Sequence, residues 1–201
     1  MSNTTLVYVN PKFTDQEDFR DLFNLHFNND FINSVLDKDD RYWLDSNIKS
    51  NEEVDLQSVL GKNELEKIMN DKTHNYSVAK HMDMWRLSLK KNDSFESFRK
   101  KLKENFFNGF QVKYKGCFYY NGDGYMGWHT NCESPGRRLY MTWNSSDKSY
   151  FMWHDGEMIN NFKEPAGWSF KLFDINKCSE NKTWHSVYAG SERISIGMQI
   201  S

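Results

Sequence analysis

Two histidines stand in segments with strand character at well separated points of the chain, His129 in "GYMGWHTN" and His185 in "TWHSVYAGSERISIG". Imidazoles carried on different strands of one barrel can converge on a metal ion at its mouth, each offering a neutral nitrogen. A histidine beside tryptophan serves equally well as a core or rim residue, so the pair alone defines a candidate. Shortly after His185 come Arg193 and Ser195, which alternation places on one face of the same strand. An arginine that points inward from a strand needs an anion, and a guanidinium aided by a hydroxyl is a good receptor for a carboxylate. The competing reading makes Arg193 an exposed residue paired with a surface acid.

Other groups are weaker candidates. His154 and Asp155 in "FMWHDGE" could face a pocket, but read more simply as a strand end in water. Arg137 and Arg138 follow the turn "ESPG", and alternation sends them to opposite faces. At most one can enter a cavity, where it could hold a carboxylate or phosphate. The sequence has no Gly-rich phosphate loop in a strand–turn–helix setting and no CxxC zinc pattern. Its three cysteines, Cys117, Cys132 and Cys178, are odd in number and widely spaced, which predicts reduced thiols in a cytoplasmic setting.

The elements that would carry these residues divide near residue 110. Before it, "TDQEDFRDLFNLHFNNDFINSVL" repeats apolar residues at helical spacing, with Thr14 and Glu17 as a capping box. Further helices are predicted in "NELEKIMND" and "FESFRKKLKENFF", and "LDKDDRYWLDSNIKSNEEVDL" reads as a polar surface connection. After residue 110, eight short β-type runs alternate with the turn signals "NGDG", "ESPG", "NSSDK", "EPAG", "NKCSENK" and "AGSE". The expected architecture is α+β: a jelly-roll core over residues 111–201, with the helices of residues 1–110 bracing one face, as one structural domain.

Composition excludes several classes. With 201 residues and a formal charge of −2, the chain can bury a sizeable core and has no global field for nucleic acid or anionic membranes. The basic, aromatic-interleaved stretch from Ser97 to Gly116 could track a phosphate backbone, but reads better as the solvated face of an amphipathic helix. No run approaches a membrane span, and no signal peptide is evident at the N-terminus. The expectation is therefore a cytoplasmic protein with no membrane partner.

Taken together, "YYNGDGYMGWHTN", "LYMTWN", "PAGWSFKLFD" and "HSVYAGSERIS" resemble the Fe(II)/2-oxoglutarate-dependent oxygenases, in particular their prolyl-hydroxylase-like branch. The resemblance covers residues 112–201. It implies a double-stranded β-helix, Fe(II) and 2-oxoglutarate as cofactors, and a hydroxylase acting on a small molecule or a protein side chain. It further implies that His129 and His185 hold the iron. Arg193 and Ser195 would receive the far carboxylate of 2-oxoglutarate, helped by Tyr120 or Tyr140. The family pattern puts Asp or Glu where this chain has Asn131. That departure leaves three outcomes open: Asn131 is a weak third ligand or none, Glu133 supplies the missing charge, or the domain binds a ligand or partner without redox chemistry. A nucleic-acid-modifying dioxygenase is a further alternative.

Overall fold

The computed structural model describes residues 7–36, 41–43, 55–71, 81–87, 89 and 93–201. In chain order these form strand β1 (Val7–Val9), helices α1 (Glu17–His26) and α2 (Asn29–Leu36), strand β2 (Arg41–Trp43), helices α3 (Leu56–Leu60) and α4 (Lys62–Asn70), strand β3 (His81–Leu87) and helix α5 (Asp93–Phe106). Seven strands follow: β4 (Val112–His129), β5 (Gly136–Asn144), β6 (Ser149–His154), β7 (Ile159–Glu164), β8 (Gly167–Ile175), β9 (His185–Ala189) and β10 (Arg193–Ile200).

Every strand pairing is antiparallel, and the ladder runs β1-β8-β5-β10-β4-β9-β6-β7, with β3 also on β4 and β2 on β3. β4 holds the two halves together. Its first part pairs with β10 and its last part, Gly124–His129, with β9. The ladder curves back on itself, because Glu164 at the end of β7 bonds Arg193 of β10 and Lys171 of β8. One interior cluster accordingly draws Tyr120, Phe151, Phe173 and Val187 from strands of both halves. The result is an antiparallel, jelly-roll-like sandwich.

Strand alternation separates two apolar faces. On β5, Leu139 and Met141 join Ile194 and Ile196 of β10 in a buried cluster with Phe19, Phe23, Phe27 and Phe31 of the first helices and with Phe98 and Leu102 of α5. The ring of Phe98 lies edge-on to Phe23 and Phe27 at centroid distances of 6.2 and 4.7 Å. The other face of β5 carries Arg138, Tyr140 and Thr142 into the interior. Lys100, Lys101 and Lys103 of the basic stretch lie on the exposed face of α5, while Phe95, Phe98 and Leu102 are buried.

Several local expectations are corrected. The first helical segment is two helices. Asn28 Oδ1 accepts from Phe31 N (3.1 Å) and starts α2, and Thr14 bonds Pro11 O from a short 3-10 turn instead of capping α1. "NGDG" is no hairpin turn but the interior of β4. Gly124 is required there by close approach to β3, since a Cβ would fall 2.8 Å from Asp83 O. Three strands, β1, β2 and β3, occur in the half read as helical. The rest of the polar connection around β2 lies outside the described residues.

Cys132 and Cys178 form a disulfide with Cα atoms 4.8 Å apart, against the expectation of three reduced thiols; Cys117 is the one free thiol, and it is buried. The pairing of the end of β4 with the start of β9 brings their flanking segments together, and spacing along the chain could not show that. Among the described residues, no helix is long and apolar enough to cross a membrane.

Thiol titration in denaturant should accordingly count one reactive group before reduction and three after it. Phe98→Ala, which empties a fully buried ring position, should lower unfolding free energy in urea by about 3–5 kcal/mol.

Candidate metal and anion site

The register that joins β4 to β9 sets His129 directly opposite His185. Their ring centroids are 4.1 Å apart, and both side chains are buried. Each ring is oriented by its own strand: His129 Nδ1 bonds Gly127 O (2.9 Å) and His185 Nδ1 bonds Thr183 O (3.1 Å). A carbonyl can only accept, so Nδ1 carries the proton and Nε2 keeps its lone pair. The same carbonyl contact orients metal-binding histidines generally. Burial lowers His129 to about 4, opposed by the Gly127 carbonyl. Burial, and then the neighbouring His129, hold His185 well below the ordinary imidazole range. Both rings are therefore neutral at physiological pH, as a ligand must be.

Asn131 stands beside them with φ 55°, in the left-handed region that Asn adopts more readily than most residues. Its Nδ2 lies 3.2 Å from His185 Nε2 and donates to the lone pair a metal would use. Glu133 does not join the group. It is exposed on the turn closed by Ser134 N to Asn131 O (3.0 Å), whereas its neighbour Cys132 is buried in the disulfide. Among the described residues, no group of three His, Cys, Asp or Glu side chains is placed to share an ion. The donor set is two imidazoles and an amide. It lacks the carboxylate of a two-histidine, one-carboxylate iron triad.

Arg193 is inward, fully buried and paired with an acid of the protein itself. Its Nε donates to Glu164 Oε2 (2.7 Å) and its Nη2 to Glu164 Oε1 (3.0 Å). Lys171 Nζ donates to the same Oε1 and to Thr142 Oγ1 (2.7 Å). The Tyr120 ring lies under the Arg193 guanidinium at 5.2 Å, and Ser195 faces Thr142 across the β10–β5 pair. Burial alone would raise the Glu164 carboxyl, but Arg193 and Lys171 outweigh it and keep it ionised. The anion that an inward Arg193 requires is thus Glu164. The seat inferred for the far carboxylate of 2-oxoglutarate already holds a carboxylate, and that cosubstrate does not fit Arg193 while Glu164 remains there. Glu164 and Lys171 escaped the sequence reading. The available signal was a lone acid and a lone lysine at inward positions of "NNFKEPAGW" and "WSFKLFD".

Aromatic rings line one side of the histidines. Phe173, Phe151 and Tyr140 have centroids 5.4, 6.0 and 6.2 Å from that of His185, and Lys171 Nζ sits 5.6 Å over Phe151. Tyr140 has room because Gly197 faces it; a Cβ there would come within 3.2 Å of the ring. Of the paired arginines, Arg137 points out to Asp174 (3.0 and 3.1 Å) and Arg138 points in. His154 and Asp155 build the β6–β7 turn, where Asp155 Oδ1 accepts from Glu157 N and Met158 N.

No protein-family model matches the chain, and no curated protein does. Among solved structures it is similar to an oxidoreductase of the 2OG-Fe(II) oxygenase family from Burkholderia pseudomallei, at 14% identity over 70% of this chain and 79% of that one, with a TM-score of 0.41. A Pseudomonas putida prolyl-4-hydroxylase matches at 12% identity over 69% and 80%, with a TM-score of 0.36. A carbohydrate-binding module from a Cellvibrio mixtus lichenase matches at 12% over 47% and 87%, with a TM-score of 0.26. At such identities and scores, what the chain does rests on its own residues.

Because both imidazoles stay neutral in the fold but protonate near 6.5 when unfolded, the unfolded state binds more protons as pH falls below 6.5, a window that for His129 runs down to about 4. Stability of the metal-free protein should be complete above pH 6.5 and fall as pH drops through this window, by about 1.4 kcal/mol per unit for each histidine. Chemical denaturation at stepped pH measures it; a flat profile would mean the rings protonate in place. Glu164→Gln, which strands two buried cations, should cost about 3–5 kcal/mol in the same assay at pH 7.

Proposed function

We propose that the chain is a jelly-roll protein of oxygenase type that binds a divalent transition-metal ion through Nε2 of His129 and His185 and acts as a binding protein, without 2-oxoglutarate. The observation that carries this reading is the bidentate Glu164–Arg193 pair. A cosubstrate carboxylate could reach Arg193 only by expelling a buried carboxylate from two cations, at a cost of several kcal/mol. The histidines support the metal half of the reading: neutral imidazoles with Nδ1 held by carbonyls suit zinc, copper, nickel, cobalt or iron. A bound ion would supply Lewis acidity. The protein's contribution is the orientation of the two rings, a neutral amide at Asn131 that leaves the ion's charge uncompensated, and aromatic walls that keep water away.

A second reading keeps the hydroxylase chemistry, with Fe(II) on His129, His185 and Asn131, and with Glu164 giving up Arg193 to 2-oxoglutarate. The histidine pair favours it and the filled arginine disfavours it.

Anaerobic titrations separate the two. Metal-stripped protein should take up Co(II) with visible d–d absorbance, and His129→Ala and His185→Ala should each abolish that signal. Asn131→Asp, which restores a charge, should tighten Co(II) by about an order of magnitude, ~1.4 kcal/mol. Fe(II) with 2-oxoglutarate should give no charge-transfer band in wild type. A band that His129→Ala removes would overturn the binding-protein reading in favour of the hydroxylase.

A further inference from the structure

We infer that Arg138 forms a seat for a small organic carboxylate on the interior floor it shares with His129 and His185, the guanidinium fork holding the anion and a metal ion on the two Nε2 lone pairs adding to its hold. The metal contribution to this seat rests on the reading above; the arginine contribution does not.

Alternation on β5 puts Arg138 on the interior face with Tyr140, and only 2% of it is exposed. It lies directly across the β5–β8 pair from Phe173, whose ring touches that of His185. Tyr140, the next inward residue along β5, also reaches His185. Arg138 thus stands over the same aromatic floor as the histidines.

The guanidinium is under-satisfied. Nη2 donates to Ser134 O, Nη1 is buried with no partner, and among the described residues no carboxylate is in ion-pair reach. Arg193 also leaves an Nη1 without a partner, but its charge is met by Glu164. Among the described residues nothing comparable meets Arg138. The groups that share its floor, His129, His185 and Asn131, are neutral, and a divalent ion on the histidines would add further positive charge. A buried guanidinium without a counter-ion is costly, and an incoming anion removes that cost. The planar fork of an arginine matches a carboxylate through two parallel N–H bonds. The neutral residue at position 131 then has a chemical counterpart: the negative charge absent from the protein's ligand set arrives with the ligand.

Calorimetric titration of oxalate, with phosphate as the tetrahedral comparison, tests this on the full chain, both metal-stripped and Co(II)-loaded. Oxalate should bind the stripped protein and bind the loaded one more tightly. Arg138→Gln should weaken it at least tenfold in both forms, and Arg138→Lys less. Arg137→Gln, on the outer face, should match wild type. Circular dichroism melts establish that each variant is folded, and Arg138→Lys carries the test if Arg138→Gln is not. Oxalate binding that survives the loss of Arg138, no oxalate binding by wild type in either form, or tighter binding of phosphate than oxalate would each overturn the proposal. Failure to take up Co(II), with Arg138-dependent oxalate binding intact, would sink the metal reading and leave the carboxylate seat standing.

Discussion

The interior of this jelly roll is organised around one buried carboxylate. Glu164 ends an edge strand, β7, yet its oxygens meet Arg193 on β10 and Lys171 on β8, so the interaction closes the curved ladder on itself. Three ionised groups in an apolar interior are tolerable only while all are paired, which makes the cluster an all-or-none device. It joins three strands that do not pair with one another, and it sets the chemistry too, because an arginine committed to the protein's own acid is not available to a ligand.

The histidine pair follows a different logic. Each imidazole is held by a carbonyl two residues earlier on its own strand, so its orientation is a local property, while the meeting of the two is a property of the β4–β9 register. Burial keeps both rings neutral, and Asn131 adds a dipole but no charge. Electrostatically the two ends of the interior are opposites. At one, a carboxylate balances two cations within the fold; at the other, neutral ligands and an unbalanced arginine leave a positive site facing the histidines. The disulfide between Cys132 and Cys178 ties together the segments that flank this second end.

Much of this was legible beforehand. Helical spacing of Phe19, Leu22, Phe23 and Phe27 located helices whose apolar stripes are buried, and the eight β-type runs after residue 110 fall on seven strands, the first two runs joining in β4. The errors share a cause. Glycine permits a turn, so "NGDG" has the look of one, whereas Gly124 is needed where β3 approaches β4; the strands before residue 110 are short and acquire their state from partners distant in sequence.

By itself the sequence determined which residues alternate inward, and therefore that His129, His185, Arg193 and one of Arg137 and Arg138 could meet in an interior. Side-chain period and residue chemistry are local, and they are written in the chain. Only the tertiary structure decided that Arg193 is answered by Glu164, that Arg138 has no carboxylate in ion-pair reach among the described residues, that Glu133 stays in solvent and that Cys132 finds Cys178. Those outcomes depend on strand register and on which edge folds back over which, and these are fixed by the simultaneous burial of residues far apart in the chain.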